Sequence, residues 1–88
     1  MNHHRRKLLH NLFAHPINAN ITMHDVESAL QGLGAEVSEN KNGKMHILLN
    51  RHSANIPTAR HSLPKEDVIH VRKFIEQCGV DPERDYPL

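Results

Sequence analysis

Between residues 40 and 65 the chain carries Lys41, Lys44, His46, Arg51, Arg60, His61 and Lys65, and not one acidic residue. Imidazoles set among ammonium and guanidinium groups suit the chemistry of phosphates. An RNA strand is cut without a metal when a base takes the proton from a 2′-hydroxyl, which then attacks the neighbouring phosphate. Such a base needs a pKa near the working pH, and histidine supplies one. Nearby cations stabilise the charge that develops on the phosphate oxygens. His46, with Lys44 two residues before it, and His61, next to Arg60, are the candidate bases. Lys41, Lys44, Arg51 and Arg60 are the candidate RNA contacts. The alternative for the cations and for His46 is a solvated surface that serves solubility alone. For His61 it is a loop residue bonded to backbone.

Other reactive residue types lack the right setting. His3, His4 and His10 have no cysteine partner at zinc-site spacing, and no His-Glu-x-x-His pattern occurs. No metal and no cofactor are therefore expected. His24 and His70 fall on polar helix faces and read as surface residues. Cys78, the single cysteine, falls on an apolar helix face and reads as a buried structural thiol rather than a nucleophile. Aromatic residues are scarce: Phe13, Phe74 and Tyr86, with no tryptophan. Stacking on unpaired bases is thus disfavoured, and recognition through phosphates and RNA shape fits better.

Four segments must position these groups. Leu8, Leu9, Leu12 and Phe13 share one side of a helix over about residues 4–14, which Pro16 closes. Thr22 and Asp25 form a capping box, and Ile21 and Val26 a hydrophobic staple, at the start of a second helix. Its apolar face is Met23, Val26, Ala29, Leu30 and Leu33, and Gly32 or Gly34 closes it. Residues 35–40 alternate as a strand. Asn42-Gly43 is a hairpin turn signal. In the next strand Met45, Ile47 and Leu49 face one way, and Lys44, His46 and Leu48 the other. Arg51-His52-Ser53 reads as a turn before a short strand over residues 54–59. Pro57, without an amide donor, puts that strand at an edge. A last helix starts near Pro64, carries Val68, Val71, Phe74, Ile75 and Cys78 on its apolar face, and ends at Gly79. Residues 80–88 read as an irregular tail.

The expected fold class is α+β. A three-stranded antiparallel sheet has helices on one face, with the face of Lys44 and His46 left open. The chain of 88 residues is enough for one domain with one small core. Its formal charge of +1 is segregated. Residues 1–20 sum to +3, 21–39 to −4, 40–65 to +5 and 66–88 to −3. A basic middle of this kind attracts phosphates. The N-terminal apolar run is too short for a signal peptide, and no run approaches the ~20 residues that span a bilayer. A soluble, cytoplasmic protein is expected, and the lone cysteine agrees with a reducing compartment.

The order and spacing of these motifs resemble HicA toxins. Thr22-Met23-His24-Asp25-Val26-Glu27-Ser28-Ala29-Leu30 through Val37 resembles their opening helix and first strand. Asn42-Gly43-Lys44-Met45-His46-Ile47-Leu48-Leu49 resembles their Gly-Ser-His strand. Ile56-Pro57 followed by His61 resembles a Val-Pro-x-His strand end, and Val68 to Gly79 their closing helix. The likeness covers about residues 21–82, and the leading segment resembles the extra helix of a longer proteobacterial variant. It implies a fold like the double-stranded RNA-binding domain, with α-β-β-β-α order. It also implies a metal-independent endoribonuclease acting on mRNA and a HicB-like antitoxin as partner. The family's catalytic residue is the histidine of Gly-Ser-His. In this chain Met45 stands at that position and His46 comes one residue later, which moves it to the opposite face of a strand. Three readings follow: a HicA-like nuclease using His46 or His61, the same fold binding RNA without cutting it, and a domain whose basic sheet docks an acidic protein.

Overall fold

A computed structural model of the protein describes residues 2–17, 21–39, 43–57 and 63–88. The elements are α1 (His3–Leu12), α2 (Met23–Gly32), β1 (Glu36–Glu39), β2 (Lys44–Leu49), β3 (His52–Pro57), α3 (Lys65–Gln77) and α4 (Pro82–Asp85). The expected α+β architecture is present. The three strands form an antiparallel meander in the order β1-β2-β3.

Local sequence signals explain most boundaries. The Thr22 side chain accepts from the Asp25 amide at 3.1 Å, and the Asp25 carboxylate accepts from the Thr22 amide at 3.2 Å. Two otherwise orphaned donors of α2 are thereby satisfied. Ile21 and Val26 are both buried, as a staple requires. Gly34, not Gly32, is the left-handed residue, with φ +90°. The Gly34 amide donates to Gln31 and the Ala35 amide to Leu30, both at 3.0 Å, which closes α2 in a Schellman motif. Gly79, with φ +82°, ends α3 the same way, its amide bonding Glu76 and that of Val80 bonding Ile75.

The inner sheet face carries Met45, Ile47, Leu49 and Ile56, all buried. They form one core with Leu9 and Leu12 of α1, Val26, Ala29 and Leu30 of α2, and Val68, Val71, Phe74 and Ile75 of α3. Removing each large side chain from water contributes roughly 1.5–3 kcal/mol. The outer face carries Glu36, Ser38, Lys44, Leu48, Ser53 and Asn55, all exposed, with His46 half-buried among them. The alternation read from the sequence of β2 therefore holds at each of its positions.

Four boundaries differ from expectation. α1 ends at Leu12 rather than near Ala14, with Phe13 as its C-cap. The second turn is Asn50-Arg51, both at positive φ (49° and 70°). Leu49 pairs directly with His52, so this is a two-residue hairpin of the primed type. β3 consequently begins at His52 instead of Ala54, and residues 58 and 59 lie outside the described region. Pro64 is the N-cap of α3 rather than a first-turn residue. The tail is not wholly irregular: Asp81 caps the four-residue α4, accepting from the Glu83 and Arg84 amides. In α4 the Arg84 guanidinium, hydrogen-bonded to Asp85, holds that carboxyl down at about 2.

α1 is fastened by two groups that sequence patterning did not single out. Arg72 of α3 is buried and donates through Nε to the Leu12 carbonyl and through Nη2 to the Ala14 carbonyl. Those carbonyls close the C-terminal end of α1, where a helix leaves acceptors unpaired and favours positive charge. His10 Nε2 lies 2.7 Å from the Tyr86 carbonyl oxygen, joining α1 to the segment after α4.

Candidate nucleic-acid interface

His46 occupies the middle strand of the open sheet face, between Ser38 of β1 and Asn55 of β3. Its Nδ1 lies 3.1 Å from Asn55 Oδ1. An amide oxygen only accepts, so Nδ1 carries the proton of this bond. In the neutral ring Nε2 then holds the lone pair. A base whose tautomer is set by a third group is a recurring arrangement in acid–base catalysis. The neighbours of His46 along β2 on this face are Lys44 and Leu48, the latter 40% exposed. Leu48 stands opposite Glu36 on one side and Ser53 on the other.

Met45 is 1% exposed and belongs to the core. The position that the HicA resemblance gives to a catalytic histidine thus points inward here, and His46 is the imidazole on the open side. Of the remaining candidates, Lys44 shares that face. Arg51 is exposed but sits at the β2–β3 turn, beyond the opposite end of β2 from Lys44. The strand from residue 44 to 49 separates them by about 17 Å at the usual rise. Lys41, Arg60 and His61 lie outside the described residues. Among the described residues the face is therefore polar and mixed, with the acidic Glu36 across from Leu48 at one end and Lys44 at the other, rather than uniformly basic.

The turn that fixes this register is anchored from behind. Asn50 Nδ2 donates to the Cys78 carbonyl at 2.8 Å, and Cys78 Sγ lies 3.3 Å from the Leu49 carbonyl. Cys78 is buried, as its place on the apolar helix face predicts, and burial pushes the thiol up, away from the reactive thiolate form. His24 and His70 are exposed, as their helix positions suggest. No cluster of three or more metal-ligating side chains occurs among the described residues, and none of their helices is long and apolar enough to cross a membrane.

Asn55 escaped the sequence reading. Its signal is arithmetic: with Asn50-Arg51 at the turn, residues 46 and 55 face each other, whereas a turn centred on His52 would have placed His46 opposite residue 58. Comparison with known proteins gives no relative: no family model, no curated protein and no solved structure matches the chain.

Proposed function

We propose that this chain is a HicA-like RNA-acting protein whose open sheet face meets the sugar–phosphate backbone, with His46 as the base that starts metal-independent cleavage. The observation that carries the reading is the Asn55-oriented imidazole in the middle strand of a sheet face that no described element covers. Nε2 takes the proton of a 2′-hydroxyl, the 2′-oxygen bonds to phosphorus, and the bond from phosphorus to the 5′-oxygen breaks. The leaving oxygen takes a proton from imidazolium or water. Lys44 lies within reach of a phosphate held there. Such a protein would act on mRNA in the cytoplasm, and a HicB-like partner covering the face would restrain it.

The second reading, binding without cutting, is favoured by the inward-facing Met45. Among the described residues His46 also has no second titratable group opposite it in the sheet register. End-group analysis separates the two. Intact protein is incubated with RNA in a metal chelator, beside a substrate with one 2′-deoxy position. Products ending in 2′,3′-cyclic phosphate, with no cut at the deoxy position, support cleavage. Bound but intact RNA selects the second reading. No affinity for RNA at low salt overturns both and leaves an acidic protein partner.

A further inference from the structure

Beside the open face runs a groove of about 450 Å³, lined by Ser53, Ala54 and Asn55 of β3 and by His70, Lys73 and Gln77 of α3, over Phe74. The geometry points to this groove as the track for a single-stranded RNA segment leaving His46, held through its phosphate and ribose oxygens. The inference rests on the RNA reading above and extends it to residues that reading does not use.

Three observations carry it. Asn55 both lines the groove and holds His46, so groove and candidate base are continuous. No carboxylate lines it, while Lys73 and His70 are exposed and neither is in an ion pair among the described residues. Ser53, Asn55 and Gln77 offer hydroxyl and amide groups suited to ribose and phosphate oxygens. The ring on its floor, Phe74, is only 4% exposed. Bases cannot stack on it, so contacts fall on the backbone and binding should depend little on sequence. Among the described residues β3 pairs only with β2 and leaves its other edge beside the groove. An added peptide strand is the rival occupant, but Pro57 ends that edge without a donor.

The test measures binding of an unstructured, fully 2′-O-methylated RNA, which cannot be cleaved, to the full chain and to Lys73→Gln. Lys65→Gln, an exposed lysine outside the groove lining, is the control. Lys73→Gln should weaken binding about three- to tenfold. It should also flatten the slope of log affinity against log salt by about 0.7, the loss of one phosphate contact on a single strand. Lys65→Gln should leave the slope unchanged. If the wild type binds and both variants match it, the groove assignment fails while the RNA reading stands. If a polyglutamate peptide, and not RNA, binds in a Lys73-dependent way, the occupant is an acidic protein and the assignment is overturned. If the wild type binds no RNA, this inference falls together with the reading beneath it.

Discussion

His46 Nδ1 and Asn55 Oδ1 meet at 3.1 Å across neighbouring strands, and this single contact decides which imidazole nitrogen faces the open side. Removing the oxygen should free the ring. In the wild type, neutral His46 should be the Nδ1–H tautomer, and in Asn55→Ala the Nε2–H tautomer should gain. Ring ¹⁵N shifts read this directly. Single-turnover cleavage of fully bound RNA should fall about tenfold, as expected when a base keeps its position but loses its orientation. An unchanged tautomer would separate Asn55 from the site.

Met45→His tests the register against the family pattern. The Met45 side chain is in the core, so a histidine there has no solvent and no evident partner. The substitution should cost roughly 1–3 kcal/mol in urea unfolding, the range for burying an unpaired polar group, without raising cleavage. A gain of activity would show that this position reaches RNA.

The Asn50-Arg51 turn asks for opposite outcomes at adjacent positions. Asn50→Ala loses the bond to the Cys78 carbonyl and forces alanine to positive φ, together about 2–3 kcal/mol. Asn50→Gly loses only the bond and should cost about 1 kcal/mol. Arg51→Gly removes a side chain from φ 70° and should be stabilising by up to about 1 kcal/mol. Thermal unfolding of the three variants gives the ranking.

Arg72→Met keeps most of the packing but strips the donors from the Leu12 and Ala14 carbonyls. A loss of about 2 kcal/mol is expected from two unpaired acceptors. Amide exchange should quicken in α1 before it does in the sheet. Uniform exchange throughout would mean that α1 is held by its apolar face alone.

The parts of this fold legible in the sequence are those written in local chemistry. Thr22 and Asp25 announce a helix start, Gly79 a helix end, and the alternation from Lys44 to Leu49 assigns each side chain to a face. What was hidden depends on distant partners. The Asn50-Arg51 turn is an uncommon pair for two positive φ values, and Arg51-His52-Ser53 looked equally polar. Asn50 becomes intelligible only once Cys78, 28 residues on, is seen accepting from it. Nothing in the local sequence marks Arg72 until α1 is seen to end against it. The candidate site suffered most from this: a turn misplaced toward His52 conceals that Asn55 faces His46. Lys44 and His46 lie on one face, as the alternation of β2 predicts. Arg51 was not separable from them, because sequence spacing does not say that a strand's length lies between.

The most direct test compares single-turnover cleavage of one RNA by the wild type and by His46→Gln in a metal chelator, with binding measured in parallel. Loss of a general base lowers the rate by about 10²–10⁴-fold, so the variant should bind RNA and cut it that much more slowly. Equal rates for the two proteins, or cleavage of an all-deoxy strand by either, would contradict the role given to His46.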